Sequence, residues 1–237
     1  MIARVKSRLA DESGFTLIEL LVTILIGTVV FSAALGLTEV SGRSTSRTTD
    51  RVETAQRARI AMDRMTRELR SQVCLDSTTY PIVSGDGSSV TFYTDFDNNP
   101  VYKPQKRQLT YVSTGSGKIT ESQWDATTTS GPPWTFSSTV SRTFTVATNV
   151  GQIGSTPIFR YYNPAGTQLS VPLSTAITSP IPSNSVARVS MLEVAFQMAP
   201  SSGNPDPLRR ADRDTRVTVR AQTADTTDAD PNRLVCG

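Results

Sequence analysis

Residues Phe15 to Thr38 form an apolar run of 24 residues interrupted by one charge, Glu19. About 20 such residues span the hydrocarbon core of a bilayer as a helix. The run is therefore long enough to cross a membrane, and in lipid its backbone has to be helical. Glu19 is out of place there. A carboxylate at the bilayer centre costs about 2.5–3.5 kcal/mol and less near the interface, and such a residue usually serves a partner. Arg4, Lys6 and Arg8 precede the run. By the positive-inside rule they place the N-terminus in the cytoplasm and the bulk of the chain outside the membrane.

The residues around Glu19 form a motif. Gly14 closes the basic leader, and Phe15, Thr16, Leu17, Ile18, Glu19, Leu20, Leu21 and Val22 follow it. This stretch resembles the class III signal of type IV pilins and type II secretion pseudopilins. The resemblance implies that a membrane aspartyl peptidase cuts between Gly14 and Phe15 and methylates Phe15 as the new N-terminal residue. A glycine before the cut leaves the peptide bond accessible. The new α-amino cation is then the partner the family assigns to the glutamate of a neighbouring subunit, here Glu19. Such pairing neutralises a carboxylate that is costly alone in an apolar filament core.

Two plainer readings compete for the segment. In one it is an ordinary secretory signal peptide, with Ser32-Ala33-Ala34 as the cleavage site. Asp11, Glu12 and Glu19, and the length of the run, speak against that. In the other it is an uncleaved signal anchor carrying an acid of unknown purpose.

A second pattern follows the apolar run. From Thr49 to Val73 there is no proline or glycine, and Ala55, Ala58, Met62, Met65, Leu69 and Val73 recur at spacings of three and four. That is the signature of one apolar helix face. Eight arginines and four acids lie between Arg43 and Arg70, a net of +4, mostly off that face. The spacing predicts a stem helix over residues 39–73 that continues the membrane helix of residues 15–38. Fifty-nine helical residues from Phe15 to Val73 would measure about 88 Å. Gly27, Gly36, Gly42 and the Ser/Thr-rich stretch from Ser41 to Thr49 predict a bend or local melting in the middle. The segment from Gln56 to Val73 also resembles the stems of the minor pilins called PilW-like and of J-type minor pseudopilins. The direct resemblance covers about the first 75 residues.

Beyond Cys74 the chain becomes rich in Ser, Thr, Gly, Pro and Asn, with strand-like runs between turn signals. Ser89–Thr94 reads as a strand. Arg107–Ser113 and the segment from Lys118 read as a hairpin across Gly115-Ser116-Gly117. Thr143–Ala147, Ile158–Tyr162, Val186–Met198 and Thr215–Ala221 are further strands, with Val186–Met198 as strand, turn and strand. Asp125–Pro133, Ser174–Asn184 and residues 200–212 read as loops. The predicted fold is α+β and pilin-like: a long N-terminal helix, membrane-spanning in its first half, packed on an antiparallel β-sheet head over residues 74–237. Residues 1–14 are the leader peptide. Two cysteines in an extracytoplasmic head allow one disulfide, Cys74 to Cys236, and the alternative is two unrelated thiols.

The sequence offers little chemistry. Without histidine, histidine-based triads and zinc sites are excluded. No glycine-rich phosphate loop follows a strand. Asp95, Asp97 and Asn99 resemble the opening of a calcium loop, but Pro100 and Lys106 occupy its glycine and closing glutamate positions, so a polar turn is the better reading. Trp124, Trp134, Tyr161 and Tyr162, if exposed, would offer a binding surface; core or turn packing is the plainer expectation. A net charge of +3 is too small to argue for nucleic acid.

These readings describe a non-enzymatic prepilin with no cofactor or metal. Its expected partners are the prepilin peptidase and methylase, other pilins or pseudopilins through helix packing, and the inner-membrane assembly platform. It is expected to be a single-pass membrane protein that passes into a filament, as a minor type IV pilin that primes or caps assembly. A J-like pseudopilin of type II secretion, or a membrane-anchored surface protein for adhesion or DNA uptake, are the alternatives.

Overall fold

Thr16 starts the only α-helix among the described residues, α1, which runs from Leu17 to Arg70. Its hydroxyl accepts the Glu19 backbone N–H at 3.3 Å, as an N-cap does. The computed structural model describes residues 15–95, 103–128, 131, 133–178, 180–201, 210–218, 222–224 and 234–236. The chain divides into two compact units, one ending at Thr48 and the other running from Thr49 to Gly237.

In the first unit every described side chain is exposed, including Phe15, Leu17, Ile18, Leu21, Leu25 and Phe31. The hydroxyls on this apolar surface bond back into the helix. Thr23 donates to the Leu20 carbonyl at 2.9 Å, Thr28 to Leu25 at 2.8 Å, Ser32 to Thr28 at 2.6 Å and Thr38 to Ala34 at 2.6 Å. In an apolar medium this leaves none of those four donors unsatisfied. Thr45 and Thr48 do the same for Ser41 and Ser44. The expected local melting over residues 41–49 is absent, since the segment is helical throughout. Thr45 and Thr48 turn their hydroxyls back onto helix carbonyls, and the helix continues through the segment.

In the second unit α1 buries Thr54, Ala58, Ala61, Met62, Met65, Glu68 and Leu69. The helix stops at Arg70, three residues before Val73. Gln72 bridges to Thr94, and the Val73 N–H donates to the Tyr93 carbonyl. The buried face packs on two antiparallel sheets. The first has the order β1-β2-β3-β4-β5, made of Ile82–Gly85, Ser89–Thr94, Gln105–Val112, Lys118–Asp125 and Arg142–Thr148. In the second, β8 (Met191–Met198) carries β9 (Ala211–Thr218) along one side and β6 (Val150–Gly151) and β7 (Phe159–Tyr162) on the other. One core joins Met65 and Leu69 of the helix to Phe92, Leu109 and Ile119 of the first sheet and to Phe159, Val194 and Phe196 of the second. The architecture is α+β and pilin-like.

The predicted hairpin is β3–β4, paired from Gln105↔Asp125 to Val112↔Lys118. Its turn places Gly115 and Gly117 at φ of 69° and 71°, a region where glycine is favoured. The first half of Val186–Met198 is not a strand. Val186–Arg188 is a 3-10 turn capped by Ser185, whose hydroxyl accepts from the Ala187 N–H. β9 begins at Ala211, inside the segment expected to be loop, because full pairing with β8 extends to Ala211↔Met198. Residues 202–209 and 219–221 of those two readings lie outside the described residues. β1, β6, β10 (Gln222–Ala224) and β11 (Leu234–Cys236) were not anticipated. Each is four residues or fewer, too short for alternation to register.

Candidate functional site

Phe15 and Glu19 both lie on the exposed first stretch of the chain, Glu19 in the first turn of α1. Gly14, on the other side of the expected cut, lies outside the described residues. Thr16 and Glu19 stand in the spacing of a capping box, with the Thr16 half formed. A carboxylate in the first turn also faces the positive end of the helix dipole. Glu19 thus suits the start of the helix as well as any role between subunits. α1 contains a stretch long and apolar enough to cross a membrane.

A buried four-charge cluster ties α1 to the first sheet within the second unit. Arg64 Nε donates to Glu68 Oε1 at 3.1 Å, and its Nη2 donates to Glu121 Oε2 on β4 at 2.7 Å. Arg107 Nη1 on β3 donates to Glu121 Oε1 at 3.0 Å and lies 3.8 Å from Glu68 Oε1. Glu68 and Glu121 are almost fully buried, and Arg64 reaches solvent. Burial first, and the Glu121 carboxylate second, push Glu68 up to about 7 against the opposing bond from Arg64. Glu68 Oε2 has no donor partner, and the neighbouring Glu121 favours the protonated form of the Glu68 carboxyl.

A second cluster orders β7, β8 and β9. The Tyr162 hydroxyl donates to Glu193, which also meets Arg160 at 2.9 Å and Arg216 at 3.5 Å. Burial works against the Glu193 carboxylate, yet the Tyr162 and Asp214 hydrogen bonds and the two arginines together hold it below the usual range. Both clusters escaped the sequence reading, because their members come from separate elements.

Cys74 and Cys236 are bonded, with Cα atoms 5.9 Å apart. Tyr80 reinforces the closure by donating its hydroxyl to the Leu234 carbonyl at 2.9 Å. Tyr161 and Tyr162 do not form an exposed surface. Tyr161 is wholly buried beneath Gly85 and donates to the Ser89 carbonyl at 2.9 Å. Trp124 is half-buried, with the Lys106 ammonium 4.7 Å from its ring centre. Asp97 and Asn99, from the calcium-like segment, lie outside the described residues. Among the described residues no group of three or more His, Cys, Asp or Glu is placed to hold a metal. Asp76 and Asp86 instead anchor turns. Each accepts bonds from the backbone and hydroxyls two and three residues on, Thr78 and Thr79 or Ser88 and Ser89. The repeated pattern of Asp, any residue and two hydroxyls, as in Asp76-Ser77-Thr78-Thr79, was the available signal for both turns.

The geometry at the N-terminal end agrees with a comparison against known families. Residues 9–35 match the model of the prokaryotic N-terminal methylation motif. The chain carries the class III prepilin signal. The match contains the expected cut, Glu19 and most of the exposed apolar stretch. No curated protein and no solved structure matches the chain. The signal marks a precursor of type IV pilin or pseudopilin type, a structural class whose members are processed by prepilin peptidase and associate with other pilins at the membrane.

Proposed function

We propose that this prepilin is cut between Gly14 and Phe15, methylated at Phe15, held in the membrane by the first part of α1, and assembled as a minor type IV pilin that primes or caps a filament. The observation that carries the reading is the methylation motif at residues 9–35, which contains the first part of a helix whose apolar side chains are all exposed up to Val40. Such a surface requires lipid or other helices to cover it. Glu19 then meets the N-terminal amine of a neighbouring subunit. The head is extracytoplasmic, in keeping with the basic leader and with the Cys74–Cys236 bond. The minor role follows from the J-like stem and the size of the head.

The N-terminal residue, measured by intact mass and terminal peptide sequencing with and without the prepilin peptidase, tests the reading. A methylated Phe15 that appears only with the peptidase is the expected result. A start at Leu35, or an intact Met1 with active peptidase, would overturn it. The same motif suits a J-like pseudopilin of type II secretion. A deletion strain separates the two: loss of surface pili and twitching indicates the pilus, and loss of a secreted enzyme indicates secretion.

A further inference from the structure

β5 is an edge strand, with β4 as its sole strand partner among the described residues. Along Arg142–Thr148 no backbone hydrogen bond reaches any other described segment. The opposite edge of the same sheet is closed differently: the Leu173 N–H donates to the Gly85 carbonyl of β1, and Tyr161 packs against Gly85. Native edges are usually blunted by charge, proline, bulge or cover. β5 has a bulge at Val146, between the pairs Thr120↔Thr145 and Ile119↔Ala147. Its first four residues, Arg142 to Thr145, are exposed and in unbroken register with β4.

Two features flank this open run. Toward the Arg142 end of β5 a cavity of about 430 Å³ is bordered by Arg64, Arg67, Arg142 and Phe144. Arg67 and Arg142 are exposed, and their guanidinium groups have no ion pair or hydrogen bond among the described residues. The carboxylates of this cavity, Glu68 and Glu121, are already engaged by Arg64 and Arg107. Toward the Thr148 end of β5 Ile60, Ala61, Val146 and Met198, with Arg57, Thr145 and Thr148, border a hollow of about 250 Å³. Ile60 is 69% exposed on α1, although it sits beside the buried Ala61.

We propose that the β5 edge receives an extended acidic segment from the head of a different prepilin-type subunit. The segment adds a strand along Arg142–Thr145, places a carboxylate between Arg67 and Arg142, and seats an apolar side chain against Ile60 and Val146. Backbone pairing at an open edge supplies affinity, and the side-chain pockets supply selectivity. A second copy of this chain is the wrong occupant, because β5-to-β5 pairing would bring the unpaired arginines of both copies together. The inference rests on the proposed pilin function, since the donor is a neighbour in the filament.

The test places a photo-crosslinking amino acid at Thr145 of the full chain, in cells that express the remaining assembly proteins. Crosslinked peptides are mapped by mass spectrometry, and the N-terminal residue of the same sample is read. The expected product joins position 145 to an Asp- or Glu-bearing head segment of another protein with a prepilin signal. The double variant Arg67→Glu, Arg142→Glu should lower its yield at least tenfold at unchanged thermal stability. With Phe15 correctly exposed by cleavage, the edge inference is overturned by crosslinks to this chain or its copies, to nucleic acid or to proteins lacking the signal, by the absence of product, or by a yield indifferent to the double variant. If Phe15 is not the N-terminal residue, the pilin reading fails first, and the inference with it.

Discussion

Arg64 on α1 and Glu121 on β4 lie 57 residues apart in sequence and meet at 2.7 Å. Glu121 is almost fully buried, and its other oxygen is held by Arg107, itself buried. Removing one partner of a buried pair strands the other charge, at a cost of about 3–5 kcal/mol. Glu121→Ala should therefore destabilise the folded protein by about that much in denaturant titration. Arg64 reaches solvent, and its loss leaves Arg107 on Glu121, so Arg64→Ala should cost only up to about 1 kcal/mol. Equal losses in the two variants would show that the cluster is not organised around Glu121.

The same cluster predicts a pH dependence. Glu68 is pushed up to about 7 from an ordinary value of 4.5. Between those values the folded chain keeps a proton that the unfolded chain has lost, so stability falls as pH rises through the window. The contribution is fully present below about 4.5 and gone above about 7, an effect on the order of 3 kcal/mol. Glu68→Gln keeps a donor toward Glu121 and cannot ionise. Thermal melts of Glu68→Gln should show a flatter profile from pH 5 to 7.5 and a higher midpoint than the parent at pH 8. Parallel profiles for parent and variant would contradict the assignment of the titration to Glu68.

The disulfide between Cys74 and Cys236 closes a loop with a sequence separation of 162. A constraint of that length restricts the unfolded chain strongly, and removing a native disulfide typically costs about 2–5 kcal/mol. Cys236→Ser should lower stability within that range. Hydrogen exchange should show the largest loss of protection at β11, which then keeps its pairing with β10 and the Tyr80 bond to Leu234. An unchanged midpoint together with unchanged protection at residues 234–236 would count against a stabilising bond.

Some of this molecule could be read from the chain, and the reasons are physical. The spacing of Ala58, Met62, Met65 and Leu69 placed four core residues, because a helix presents one face to one core. The turn Gly115-Ser116-Gly117 located the β3–β4 hairpin, since its two glycines take positive φ. The joining of Arg64, Glu68, Arg107 and Glu121 was not legible. Each residue reads singly as a solvated charge, and only the packing of α1 on β3 and β4 removes the water. Tyr161 lies in the core, the plainer expectation for it: the bare backbone of Gly85 admits the ring, and the Ser89 carbonyl satisfies the O–H. β9 began earlier than its composition implied, because Ala211 to Arg216 carry four charges and only pairing with β8 makes them strand.

Glu19 has two physical roles that a pair of variants can separate. Its backbone N–H donates to Thr16, which starts the helix, while its carboxylate is the proposed partner of a neighbour's N-terminal amine. Thr16→Ala removes the cap at a cost of about 1 kcal/mol in local helix stability. It leaves the carboxylate, so filament incorporation should stay within about twofold of the parent. Glu19→Gln keeps the backbone bond and nearly the same volume and removes only the charge. Cleavage before Phe15 should be unchanged, because the cut lies outside the helix, whereas recovery in sheared filaments should fall at least tenfold. The amine would then enter the apolar filament core without a counter-charge, a penalty that full incorporation of Glu19→Gln would show to be absent. Impaired entry of Thr16→Ala alone would assign the position to helix initiation.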